Sequence, residues 1–251
     1  VAAVAVLLVL ALAACSGPAA PRAAPLVPAS QPASSVVSVP VESTAEAETS
    51  LRIAGLKGPT TMGMVKLMDD TDAGLAAQDY QVEMFGTPDA VNALLIGGEI
   101  DVAAVPANVA SILYNKTGGK VQVAAINTLG VLYVVETGDR IQTVEDLKGR
   151  TIYSTGKGTT PEYVLNYILE QNGINPQTDV DIQFRSESTE VAAMLKDADD
   201  AVAVLPQPYV TAVQLQNDKV RMALDLTEEW SKVSPESGLV TGVLVARTEF
   251  V

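Results

Sequence analysis

The sequence predicts an α/β protein of two similar βα lobes joined by a hinge, with a cleft between them. Three observations lead there. From residue 51 onward, short apolar strands alternate with amphipathic helices, the pattern of βαβ units and a mainly parallel sheet. The same series returns 100 residues later without a gap. KGPT at 57–60 matches KGTT at 157–160, VNALL at 91–95 matches VAAML at 191–195, and VAAVP at 102–106 matches VAVLP at 202–206. Finally, the apolar segments 129–135 and 239–245 lie where a chain would cross from one lobe to the other and back. The repeat shows ten identities over 64 ungapped positions, 51–114 against 151–214. That count is small for an Ala- and Val-rich chain, and any two βα units share some likeness. Its weight comes from identities that fall at equivalent turns and strand ends. Two crossings make a hinge, and two lobes on a hinge close around something.

The elements follow in order. LRIAG at 51–55 is a strand, KGPTT at 57–61 a turn, and 62–68 has helical apolar spacing at Met64, Val65, Leu67 and Met68. Residues 80–85 alternate as a strand. PDAVNALLI at 88–96 is a helix that Gly97 and Gly98 end. IDVAAV at 100–105 is a strand, Pro106 opens a helix, and 121–126 is a further strand. These patterns place lobe one at 51–126, the hinge at 127–148, lobe two at 149–238 and a return crossover at 239–251.

The first 50 residues read differently. Residues 1–14 are Val, Ala and Leu only. As a helix they would rise about 21 Å, short of a hydrocarbon core of about 30 Å. They suit the apolar core of an export signal, ending in Leu12-Ala13-Ala14-Cys15. That string resembles the bacterial lipobox, which makes Cys15 the expected lipidation site and a membrane anchor through its acyl chains. Residues 16–50 hold six of the chain's 14 Pro and no aromatic residue, the composition of a disordered tether. The chain opens on Val1 rather than Met and closes on Val251 in an apolar-rich stretch. We therefore expect a fragment, short of a piece at the N-terminus and of the C-terminal part of lobe one.

Composition removes several functions. Sixteen Lys+Arg against 30 Asp+Glu give a net charge of −14, without the cationic surplus that nucleic acid needs. There is no His, which removes Ser-His-Asp and Cys-His catalysis and any His-ligated metal. A single Cys leaves no intramolecular disulfide and no thiolate zinc site. TGKGTT at 155–160 lacks the first Gly and the following Ser or Thr of a phosphate-binding P-loop. No catalytic, metal or cofactor site is expected.

In open parallel sheets, ligands bind beyond the carboxyl ends of the strands, where helix N-termini offer unpaired N–H groups. Four junctions qualify: 57–61, 106–108, 155–160 and 206–208. They supply Lys57, Gly58, Thr60, Thr61, Pro106, Asn108, Gly156, Lys157, Gly158, Thr159, Thr160 and Gln207 as candidate ligand contacts. Thr128 joins them from the crossover. Glu187, after the strand at 181–185, is placed to meet a ligand amine. Each of these residues equally suits a plainer role. Thr and Asn cap helices, Lys is solvated at a surface, and an acid fits the first turn of a helix.

Taken together, the lipobox, the tether, LRIAGLKGPTTMGMVKLMDD, GEIDVAAVPANVAS, VEDLKGRTIYSTGKGTTPEYVLNYIL, VAVLPQPYVTAV and TGVLVAR resemble a substrate-binding lipoprotein of an ABC importer. The similar group is the nitrate/sulfonate/taurine-type family, which includes binders of thiamine-pyrimidine precursors. The resemblance spans 51–250, with VEDLKGRT at 144–151 its most specific stretch. It implies a type II periplasmic-binding-protein fold and a small-molecule ligand, either a sulfonate- or nitrate-like anion or a pyrimidine-like heterocycle. It further implies an ABC permease as partner, a monomer, and a site outside the cytoplasmic membrane held by the lipid anchor. Two other functions fit the same fold: an enzyme, with Glu187 or Asp101 as its acid or base, and an extracellular sensor.

Overall fold

The computed structural model describes residues 50–251. The expected leader, Cys15 and the tether lie outside the described residues.

The chain begins with β1 (Leu51–Leu56), α1 (Pro59–Met62), α2 (Val65–Asp72) and β2 (Tyr80–Phe85). It continues with α3 (Pro88–Gly97), β3 (Val102–Pro106), α4 (Ala107–Lys116) and β4 (Val121–Leu129). It then enters β5 (Leu132–Thr137) and makes a 3-10 turn at Val144–Leu147. The second series is β6 (Thr151–Thr155), α5 (Thr160–Gln171), β7 (Asp181–Arg185), α6 (Ser188–Lys196), β8 (Val202–Pro206), α7 (Tyr209–Gln214) and β9 (Val220–Asp225). α8 (Leu226–Val233) leads back into β10 (Val240–Arg247). Among the described residues, no helix is long and apolar enough to cross a membrane.

Local chemistry explains most boundaries. α3 and α5 each carry Pro in the first turn, where its missing N–H costs nothing. α3 ends on Gly98 at φ 77°, a left-handed cap whose N–H returns to the carbonyls of Leu94 and Leu95. The helix expected over 62–68 is in fact two, parted at Gly63 and Met64. Gly has low helix propensity, and Met64 turns inward to pack with Ile53 and Ala104. The strand expected over 121–126 runs on to Leu129, because it carries the chain toward the second lobe.

Two five-stranded sheets result, ordered β2-β1-β3-β10-β4 and β7-β6-β8-β5-β9. Each is the other's counterpart, strand for strand. β1 pairs in parallel with β2 and β3, and β6 with β7 and β8. Against the expectation of mainly parallel sheets, each contains one opposed strand with two antiparallel partners. β10 opposes β3 and β4, and β5 opposes β8 and β9. The reason is geometric. The parallel strands all run toward the side where the lobes meet, so a strand arriving from the other lobe must run away from it. Leu132, the first residue of β5, accordingly lies opposite Pro206, the last of β8.

The outward crossing is confined to Gly130 and Val131, narrower than the 127–148 hinge expected. Both residues have positive φ, 64° and 65°. For a β-branched residue that conformation is strained. β8 is buried on both faces: Val202 and Val204 join the cluster under α5 and α8, while Ala203 and Leu205 join the one under α6 and α7. In the first lobe, α3 and α4 cover one face through Val91, Leu95, Val109 and Leu113.

Candidate functional site

Three strand-to-helix turns from each lobe end at one cavity of about 120 Å3. From the first lobe come Lys57, Gly58 and Thr60 after β1, Gly86 and Pro88 after β2, and Pro106 after β3. The second lobe answers with Thr155, Gly156 and Thr159 after β6, Ser186, Glu187 and Ser188 after β7, and Pro206 and Tyr209 after β8. The crossing strands close the back with Thr128, Val131 and Thr241. The first N–H groups of a helix have no partner within it, so this wall is rich in donors and partial positive charge.

The side chains hold distinct postures. Thr60 is 7% exposed, and its Oγ1 is buried without a hydrogen-bond partner, an uncommon state for a hydroxyl. Its methyl packs toward Gly242, where a Cβ would lie 2.7 Å from Thr60 Cγ2 and 2.8 Å from Thr128 Oγ1. Only a glycine on β10 lets both threonines approach. Asn127 Nδ2 donates to the Thr60 carbonyl at 2.7 Å, fixing that turn to β4. In the second lobe Thr159 Oγ1 donates to the Gly156 carbonyl at 2.6 Å, and the hydroxyls of Thr155 and Ser188 are 3.3 Å apart.

Of the residues expected from sequence, Lys57, Gly58, Thr60, Pro106, Thr128, Gly156, Thr159 and Glu187 line the cavity. The others point elsewhere. Thr61 spends its hydroxyl on the Leu56 carbonyl at 2.6 Å. Lys157 lies over the Phe184 ring, 5.9 Å from its centre. Gln207 accepts from the N–H and hydroxyl of Thr211 at the start of α7. Asn108, Gly158 and Thr160 meet each other across the lobes. Asn108 Nδ2 donates to the Gly158 carbonyl at 3.0 Å, and Thr160 Oγ1 to Asn108 Oδ1 at 3.1 Å.

Sequence reasoning missed the β2–α3 turn and its partner residues Ser186 and Ser188. The 100-residue repeat carried the signal, since Gly86 is the counterpart of Ser186. Tyr209, a residue of the VAVLPQPYVTAV stretch, opens α7. Its Oη donates to the Lys57 carbonyl at 3.2 Å, a further bond between the lobes. Burial, and secondarily the charge of Glu187, push its phenol pKa up, so Tyr209 is a neutral donor at physiological pH. Asp101, the other acid considered, sits at the opposite end of the first sheet. It is held by Arg52 at 2.7 Å and faces Arg247 at 3.6 Å. Among the described residues no group of three or more His, Cys, Asp or Glu is placed to hold a metal ion.

Two α/β lobes, a double crossing and a cavity at the converging strand ends define a periplasmic-binding-protein-like fold. The comparisons agree. Residues 63–231 match the family model described as ABC transporter, phosphonate, periplasmic substrate-binding protein, and the chain belongs to that family. An ABC transporter protein from Parabacteroides distasonis is similar at 25% identity and a TM-score of 0.63, over 80% of this chain and 67% of that one. The periplasmic aliphatic sulphonate-binding protein SsuA from Escherichia coli shares 19% identity with a TM-score of 0.61, over 80% of this chain and 66% of that one. The ligand-binding component of an ABC-type import system from Staphylococcus aureus shares 14% with a TM-score of 0.61, over 79% and 66%. The chain thus spans about two thirds of these solved structures. No curated protein matches it. The resemblance read from the motifs holds: the matching model is the phosphonate member of the importer receptors, and a sulphonate binder is among the structural neighbours.

Proposed function

We propose that the protein captures a small solute carrying an oxyanion outside the cytoplasmic membrane and delivers it to an ABC permease. The observation that carries this reading is the buried, unpartnered hydroxyl of Thr60 in a cavity walled by helix N-terminal turns of both lobes. An oxyanion would accept from Thr60 and from the N–H groups of α5 and α6, as anions commonly do at helix N-termini. The cavity volume suits a phosphonate, sulfonate or nitrate group, and a small heterocycle with an acceptor edge is the other solute class that fits. Closure would exclude water and strengthen these bonds. On this reading the protein is exported, is lipidated at Cys15, works as a monomer and performs no covalent chemistry.

The test is a thermal-shift panel of methylphosphonate, methanesulfonate, nitrate and an aminopyrimidine, followed by calorimetry on Thr60→Val. That substitution keeps the shape and removes the unpaired hydroxyl. Affinity for the solute that shifts the melting temperature most should fall at least about tenfold, with the unliganded melting temperature unchanged or raised. Unchanged affinity would place the solute elsewhere.

A further inference from the structure

Glu187 is the single carboxylate that lines the cavity among the described residues, and the oxyanion reading makes no use of it. It occupies the N-cap position of α6 with extended backbone, φ −133° and ψ 153°. From there it reaches across the cleft. A Cβ on residue 86 would lie 2.0 Å from Glu187 Oε1, so the absence of a side chain at Gly86 makes the seat for this carboxylate. Oε2 accepts from Thr189 Oγ1 at 3.3 Å, the one side-chain hydrogen bond Glu187 receives among the described residues. Oε1 lies against Gly86, itself in the cavity lining, and no donor reaches it among the described residues. The titratable groups that share the lining are Lys57, from the β1–α1 turn, and Tyr209, from α7. Tyr209 already commits its proton to the Lys57 carbonyl.

An ionised carboxylate only accepts hydrogen bonds. A fully ionised oxyanion without a proton of its own would set acceptor against acceptor and like charge against like. A solute that brings a donor beside its anionic group turns the same contact into a charge-assisted hydrogen bond. Resting on the oxyanion reading above, we infer that Glu187 is a specificity-determining residue that admits oxyanions bearing their own hydrogen-bond donor and rejects isosteric ones that lack it. The donor is either the P–OH of a singly ionised phosphonate or an N–H on a short arm. What it reads is the donor beside the anionic group rather than the central atom: it separates methylphosphonate from methanesulfonate by the P–OH, and one sulfonate from another by the N–H.

Two matched pairs test this by calorimetry at pH 6 on the full chain. Methylphosphonate against methanesulfonate isolates the P–OH, and taurine against ethanesulfonate isolates the N–H. In wild type, the donor-bearing member of at least one pair should bind at least about tenfold more tightly. Glu187→Gln keeps the volume and adds a donor, and should bring the two members of that pair to near equality, chiefly by gaining affinity for the member that lacks a donor of its own. Gly86→Ala, which pushes the carboxylate from its seat, should narrow the gap independently. Equal binding within both pairs in wild type, or a gap that survives Glu187→Gln unchanged, overturns the inference while leaving the cavity as the solute site. Failure of wild type to bind any of the four overturns this inference, and failure to bind nitrate as well overturns the oxyanion reading itself.

Discussion

Thr60 and Asp101 show how differently two buried polar side chains serve the same lobe. Thr60 keeps a hydroxyl free at the cavity, whereas Asp101 is fully engaged at the far end of the sheet. The Arg52 guanidinium and backbone N–H both donate to Asp101, and Arg52 also reaches the Gly98 carbonyl. These bonds hold the Asp101 carboxyl below the usual carboxylate range, the hydrogen bond from the Arg52 side chain leading. A depressed folded pKa gives a stabilisation that is complete above the unfolded value, about 3.9. It is lost as pH falls through the lower folded value. Asp101→Asn should therefore lower the urea midpoint at pH 7, and the gap to wild type should close below about pH 4. A gap that persists in acid would show that the carboxylate's charge is not what holds this end of the lobe. At this scale the sequence was half legible. The residue types of the turns pointed to Thr60 and Thr159. The sequence could not say that Thr61, Lys157 and Gln207 turn away, because that depends on which carbonyl or ring lies within reach after folding.

Among the elements, β5 and β10 matter most, since they tie the two lobes together. β5 is anchored at its far end by Glu136, which is 1% exposed. Its carboxylate accepts from the N–H groups of Arg140 and Ile141 at 3.2 and 2.9 Å and pairs with Arg221 on β9. One side chain thus fixes the end of the crossing strand, the segment after it and its neighbour in the sheet. Glu136→Ala should cost about 3–5 kcal/mol in denaturant unfolding, because it leaves Arg221 without its partner in a partly buried site. A loss under about 1 kcal/mol would mean that the strand is held by its ladder alone. The elements themselves were readable from apolar periodicity and from Gly and Pro punctuation. The antiparallel sense of β5 and β10 was not. A strand's direction in a sheet is set by where the chain arrives from, and periodicity carries no record of that.

For the whole molecule, the 100-residue repeat proves to be its organising fact. Two sheets of equivalent order present equivalent turns to a shared space, so residues far apart in sequence meet there, among them Gly86 and Glu187 across the gap. Asn108 with Thr160 and Gly158, and Tyr209 with Lys57, add bonds between the lobes that need no solute. Closure can then draw on these bonds as well as on those made to the solute. The direct test is energy transfer between dyes at Lys116→Cys on α4 and Gln216→Cys just beyond α7, in a Cys15→Ser background. The account predicts that the panel solute with the largest thermal shift changes the transfer efficiency between the lobes in a saturable way. It also predicts that Thr60→Val needs at least about tenfold more solute to reach the same change. Saturable binding with no change in transfer, or a midpoint indifferent to Thr60, would contradict it.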